Sequence, residues 1–125
     1  MGACACLSED PALAYAVGLG HRRTLLDQSH FSVVVRACPE CGQQFLHVFM
    51  ELIDWQGGDD SQASVRIPLS ATEAAELPAF ASASDAELAL RARDFSRRKL
   101  WRVWPKGGEP SMWWGEGELL VLPHD

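Results

Sequence analysis

The feature that most constrains the fold of this 125-residue chain is a pair of cysteines between two apolar, strand-like segments. Residues 38–42 read Cys-Pro-Glu-Cys-Gly, with residues 31–37 before them and 43–54 after them. Both flanks are rich in Val, Phe and Leu, which favours β-strands. Pro39 fixes one backbone dihedral and Gly42 can adopt a positive φ, so the pair is predicted on the turn of a long β-hairpin.

A second close pair, Cys4 and Cys6, lies near the N-terminus. The chain does not begin with a positively charged stretch followed by an apolar one, so we expect a cytoplasmic protein, where disulfides are rare. Two close pairs in a reducing compartment indicate a metal site with thiolate ligands. Residues two apart in an extended segment project to the same side, so both N-terminal sulfurs can reach one metal. The predicted ligands are Cys4, Cys6, Cys38 and Cys41.

The Cys-Pro-X-Cys-Gly turn, with its strands over residues 31–53, resembles the zinc knuckle of zinc-ribbon and rubredoxin-like proteins. The resemblance implies a tetrahedral Zn²⁺ site with four cysteine ligands, of which Cys38 and Cys41 form one half. The other half departs from the pattern, because Cys4-Ala5-Cys6 stands where a second Cys-X-X-Cys is usual. This shorter spacing is not expected to form the same N–H-to-sulfur turn. The chain is also similar to small bacterial proteins with Cys-Pro-X-Cys-Gly-Gln followed by Ile-Asp-Trp, a resemblance that implies no activity.

Two other interpretations of the cysteines stay open. Thiol–disulfide exchange within either pair would make the chain a redox enzyme or sensor, although a thioredoxin-like pair opens a helix and this one lies between strands. The four cysteines can also be buried residues without a chemical role. Four cysteine ligands leave no open position on zinc, and the common nucleotide-binding, metalloprotease and serine-nucleophile motifs do not occur. The sequence therefore predicts no catalytic residues and a non-catalytic binding module.

The expected fold is α+β, a single zinc-binding domain over residues 1–125. It comprises a small antiparallel sheet of three or four strands, two helices, and the knuckle on the long hairpin. Ser70 and Glu73 form a capping box that starts a short helix. Ser84 and Glu87 form a second one, opening a helix to about Lys99 whose apolar side includes Leu88. The predicted strands are residues 21–26, 31–37, 43–54 and 63–69.

Positive charge is concentrated in one segment. Residues 91–106 carry seven basic groups and one acidic group, whereas residues 1–90 carry four basic and twelve acidic groups. Tryptophans occur in and after the same segment. Core packing is the default interpretation of these rings, and an exposed recognition surface is the alternative, since Trp and Arg dominate protein-binding hot spots. We therefore expect an acidic protein partner there, while a solvated helix face is the simpler interpretation of the charge. The predicted partner-binding residues are Arg97, Arg98, Lys99, Arg102, Trp104 and Lys106.

The remaining expectations concern other partners and individual side chains. A net charge of −6 repels phosphate backbones, so general nucleic-acid binding is not expected, although a nucleic-acid-binding zinc ribbon using residues 91–106 stays an alternative. No apolar run reaches membrane-span length. Strand alternation predicts Arg102 and Trp104 on one face and a buried Trp101 on the other. His47 is predicted to be a core histidine with its ring nitrogens hydrogen-bonded, while a partner that supports a metal ligand is the alternative interpretation.

Overall fold

The computed structural model describes residues 4–28, 30–52, 61–93, 95, 97–104 and 109–116. These residues form an antiparallel sheet of six strands, in which each strand pairs with its neighbours in the chain. The α+β class is as predicted, with more strands than expected. The strands are β1 (Gly20–Gln28), β2 (Phe31–Ala37), β3 (Gln44–Leu52), β4 (Ser61–Leu69), β5 (Lys99–Trp104) and β6 (Ser111–Gly115). The helices are α1 (Pro11–Ala16), α2 (Ala71–Glu76) and α3 (Ala83–Ala92), preceded by a 3₁₀ turn at Ala5–Leu7.

The main hydrophobic core lies between one face of the sheet and the helices α2 and α3. Phe31, Val33 and Val35 alternate with half-buried residues along β2, which confirms the period-two pattern of this segment. They pack in one cluster with Ala86 and Leu90 of α3. The opposite face of the sheet is partly covered by the N-terminal segment that holds α1, and it is this face that carries the polar features described below.

The capping box at the start of α2 is confirmed. The Ser70 hydroxyl accepts a hydrogen bond from the Glu73 backbone N–H, while the Glu73 carboxylate accepts one from the Ser70 N–H. Arg97 adds a two-pronged ion pair to the same carboxylate, with both N–O distances at 2.7 Å. It also donates to the Pro68 carbonyl. The segment that enters β5 is thereby fastened to the start of α2.

The Glu73 carboxylate is expected to make the free energy of unfolding depend on pH. The Arg97 ion pair and the Ser70 backbone hydrogen bond lower the pKa of Glu73 to about 2. The ionised form is thus favoured in the folded chain, so its contribution is complete above the ordinary carboxyl pKa and is lost as the pH falls through about 2. Glu73→Gln is expected to lower the free energy of unfolding by about 1–2 kcal/mol at pH 7 in urea titrations.

Below pH 3 the difference between wild type and Glu73→Gln should shrink toward the loss of the capping hydrogen bond alone. Glu87→Gln is the matched control, because the Glu87 side chain is about as exposed as that of Glu73 but pairs with Arg91 within α3. A deficit of the same size at both pH values would contradict the assignment.

The second predicted helix differs from the structure at both ends. Its N-cap is Ser82, whose hydroxyl accepts from the Asp85 N–H, and not Ser84. The helix ends at Ala92, where Arg93 has an extended backbone conformation, and so does not reach Lys99, at which β5 begins. Its buried side is formed by small residues and Leu90, which leaves Leu88 70% exposed. None of the helices in the described part of the chain has the length and hydropathy of a membrane span.

Candidate metal centre

The four cysteine side chains meet at one place, between the N-terminal 3₁₀ turn and the turn that joins β2 to β3. All four Sγ atoms lie within 4.8 Å of one another. The Cys4–Cys38 and Cys6–Cys41 pairs are both separated by 3.6 Å. Sulfurs bound tetrahedrally at about 2.3 Å from a zinc ion lie about 3.8 Å apart. A disulfide needs about 2.0 Å, so the four thiols are unbonded and spaced for a shared metal ion.

The turn between β2 and β3 presents Cys38 and Cys41 as the sequence predicts. Gly42 has φ +79°, a left-handed conformation that the absence of a Cβ allows. Its N–H donates to the Cys38 carbonyl at 2.9 Å, and the Cys38 N–H donates to the Gln43 carbonyl at 2.9 Å. This closes the turn and directs both sulfurs toward the N-terminal segment.

The N-terminal pair is placed differently from the extended segment that was expected. Cys4 precedes a 3₁₀ turn, in which the Leu7 N–H donates to the Cys4 carbonyl at 2.9 Å. The Cys6 backbone N–H acts to lower the pKa of the Cys4 thiol. The N-terminal pair therefore lies on a 3₁₀ turn and not on an extended segment, and this turn differs from the one that holds Cys38 and Cys41.

The thiols differ in their ease of ionisation. Burial opposes ionisation of Cys38, but the backbone N–H groups of Cys41 and Glu40 outweigh it and lower its pKa to about 7. Burial, followed by the neighbouring Cys41 thiol, raises the pKa of Cys6 far above its ordinary value. The Cys6 N–H favours the Cys4 thiolate, yet the nearby Cys41 and Cys38 thiols still raise the pKa of Cys4. A metal ion binding here must displace protons, starting from Cys38.

The surroundings of the cluster suit a structural site. Cys6 and Cys38 are buried against Phe45, with Val17 and Leu19 packed around them. A cleft of about 440 Å³ lies beside Cys4 and Cys41 and gives a route from solvent.

The structure describes five of the six predicted partner-binding residues, and these five do not all lie on one exposed surface. Arg97 is held by Glu73, and Arg98 pairs with Glu9 at 3.2 Å. Lys99 is only 1% exposed and donates to the backbone carbonyls of Arg97 and Glu116, so its inclusion in an exposed face is wrong. Lys106 lies outside the described residues.

Arg102 and Trp104 do share one face of β5, as the alternation predicts. The Arg102 guanidinium lies 3.4 Å from the centre of the Trp104 ring, and Trp104 is half-buried. Trp101 on the opposite side is 8% exposed and stacks on Trp113. Arg102 and Trp104 therefore remain as a candidate contact surface.

Sequence reasoning missed a set of polar residues on the same side of the sheet as Arg102. Ser64 on β4 is paired with Arg102 on β5, and Arg66 on β4 is paired with His47 on β3. Arg36 lies on the same face of the neighbouring strand β2. The signal was an isolated arginine inside each of two apolar strands, at 36 and 66, where an aliphatic residue is usual. We call this surface the arginine face, formed by Arg36, His47, Ser64, Arg66 and Arg102.

His47 departs from its prediction within this face. Its burial, with Arg66 and Arg36 nearby, lowers its pKa to about 4, so the ring is neutral at pH 7. Nothing in the described part of the chain hydrogen-bonds its buried Nδ1 atom. The expectation of two hydrogen-bonded ring nitrogens is therefore not met at Nδ1 among the described residues, where Arg66 and Arg36 lie close enough to act on the ring.

Comparisons with protein-family models, with curated proteins and with solved structures give no match for this chain. The class that the structure defines is an α+β chain with a four-cysteine cluster at metal-binding spacing.

Proposed function

We propose that this chain is a non-catalytic, zinc-stabilised binding module that acts through contact with a protein partner. The observation that carries the proposal is the placement of four sulfurs within 4.8 Å of one another by two separate turns. Such a set of thiolates favours Zn²⁺ over harder cations, and four of them saturate tetrahedral zinc. In this proposal, the 38–42 turn acts as a zinc knuckle on the β2–β3 hairpin, and the metal ties the N-terminal segment to it.

A structural role for the zinc follows from its proposed ligands. With Cys4, Cys6, Cys38 and Cys41 all bound, no coordination position remains for a water or a substrate. The zinc would stabilise the end of the sheet and hold α1 over the arginine face.

Metal analysis of purified protein tests this part of the proposal. We expect one zinc per chain, and replacement by Co²⁺ should give the absorption bands of a tetrahedral thiolate site. Metal-free protein that forms a reversible disulfide would instead support thiol–disulfide exchange, which the lowered pKa of Cys38 favours.

The protein-contact part of the proposal is supported by Arg102 and Trp104. Both are half-buried on one sheet face and stack on each other, so a partner can cover them without unfolding the core. An acidic partner is complementary to this face, where Arg66 and Arg102 both lie over the Tyr15 ring.

The matching experiment is capture of an acidic partner, followed by affinity measurements with Arg102→Ala and Trp104→Ala. Each change is expected to weaken binding about tenfold or more, since Trp and Arg anchors are worth about 2 kcal/mol. Arg91→Ala, on α3 behind the sheet, is the control and should leave the affinity unchanged. Unchanged affinity in both test variants would remove this surface from the proposal.

A further inference from the structure

The arginine face combines positive charge with unused hydrogen-bonding capacity. The Nε atoms of Arg36, Arg66 and Arg102 and the Nδ1 atom of His47 are buried, and none finds a hydrogen-bond partner among the residues that the structure describes. In that part of the chain, every buried side-chain polar atom without a partner lies on this one face. Such atoms are rare in folded proteins, and a cluster of them calls for a ligand or ion.

Arg66 is the centre of the cluster. It is 7% exposed, and its nearest charged neighbours include Arg36 and Arg102. One of its terminal nitrogens lies 3.3 Å from the Val17 carbonyl at the end of α1, and its guanidinium lies 4.2 Å from the centre of the Tyr15 ring. Arg102 lies 4.7 Å from the same ring. The Tyr15 ring therefore contacts two guanidinium groups, and its hydroxyl is hydrogen-bonded to Ser64 at 2.8 Å.

Negative charge does not balance this set among the described side chains. The carboxylates in the described ion pairs belong to other groups, and none of them pairs with Arg36, Arg66 or Arg102. Glu51 lies on the same sheet face but is engaged by His30 at 3.1 Å and Gln62 at 2.7 Å. Because Arg36 and Arg102 are only half-buried, solvent can reach the cluster at these two residues.

From this juxtaposition we infer that Arg36, Arg66 and Arg102 form a binding site for an oxyanion, a phosphate group or a carboxylate, on the sheet face that α1 partly covers. Guanidinium groups present paired N–H donors that match the oxygens of both groups. Neutral His47 can add one donor, and Trp104 beside Arg102 borders the site. The inference rests on the proposed function in one respect: it names the chemical group of the acidic partner that this face would recognise.

The test is a titration of zinc-loaded wild-type protein with inorganic phosphate and, separately, with succinate, followed by NMR of the arginine Nε–H groups. Sodium chloride at matched ionic strength is the reference. We expect saturable shifts of the Nε–H signals of Arg36, Arg66 and Arg102 with at least one of the two anions. Tighter binding of phosphate identifies a phosphoryl group, and tighter binding of succinate identifies a carboxylate.

Two variants make the test specific. Arg102→Gln and Arg36→Gln are each expected to weaken anion binding about tenfold, the effect of one lost charge-assisted hydrogen bond. Arg91→Gln makes the same change of charge on the far side of the sheet and should leave the binding constant within about twofold of wild type. Either arginine variant alone suffices if the other does not fold.

The inference is overturned if neither anion shifts the Nε–H signals beyond the chloride reference, or if Arg91→Gln weakens binding as much as the other two. No partner protein is present, and the zinc content is measured on the same sample. Failure here is therefore distinguishable from failure of the zinc site or of the partner contact.

Discussion

Cys38→Ser is expected to weaken zinc binding about a thousandfold and to lower the stability of the zinc-loaded protein by about 4 kcal/mol, or roughly 15 °C in melting temperature. The reason is that Cys38 is buried and receives two backbone N–H groups, so its thiolate is the easiest of the four to form. The main core lies elsewhere, against α2 and α3, so the sheet should still fold. Thermal melts at fixed free zinc, with zinc content measured in parallel, check this expectation.

A chelator supplies the control for that variant. Removal of zinc from the wild type should lower its melting temperature to near that of Cys38→Ser, whereas the variant should barely respond. Cys4→Ser should cost less, because Cys4 is half-buried at the start of the chain and mainly fastens the N-terminal segment. Equal melting temperatures for wild type and Cys38→Ser at saturating zinc would refute the structural role of the metal.

Trp101→Ala is expected to lower the free energy of unfolding by about 3–5 kcal/mol, the usual cost of truncating a large buried aromatic side chain. Trp101 is packed in the main core, its ring stacks on Trp113 with centroids 6.1 Å apart, and its Nε1–H donates to the Gly115 carbonyl at 3.3 Å. The change therefore leaves a cavity and an unpaired carbonyl between β5 and β6. Urea titration followed by circular dichroism measures the loss.

Two neighbouring tryptophans are matched controls for Trp101→Ala. Trp113→Ala removes the other ring of the same stack. Trp113 is 42% exposed, so we expect the free energy of unfolding to fall by only about 1 kcal/mol. Trp104 lies beside Arg102 on the same side of the sheet as the arginine face, and Trp104→Ala is expected to lower the free energy of unfolding by a similar small amount. Comparable losses for Trp101→Ala and Trp104→Ala would assign both residues to the core and withdraw Trp104 from the partner surface.

The parts of the fold that could be predicted are those with local causes. The alternation of Phe31, Val33 and Val35 indicates a strand with one buried face. The Ser70–Glu73 capping box could be predicted because it depends on residues only three apart. The end of α3 could not be predicted in the same way. Pairing of β5 with β4 keeps the chain after residue 98 extended, and this tertiary requirement overrides the helical pattern that runs to Lys99.

The candidate functional residues likewise include some that could be predicted from the sequence and some that could not. The two cysteine pairs are visible in the sequence, because close spacing of thiols is itself the signal. The arginine face is not, since Arg36, Arg66 and Arg102 come from three strands and meet only through the register of the sheet. Tyr15, which lies between two of the guanidinium groups and the rest of α1, comes from a fourth element.

The chain-ordered sheet has a consequence for synthesis on the ribosome. Strands β1 and β2 are neighbours in sequence, so their hairpin can pair as soon as it emerges. Cys4 and Cys6 leave the ribosome first, but Cys38 and Cys41 follow 34 and 35 residues behind the partners they face. The early thiols must therefore wait, unmetallated, until the hairpin and the turn beyond it have been made. In the proposed zinc-bound form, metal capture then closes a loop that contains an already paired hairpin, so less chain entropy remains to be lost at that step.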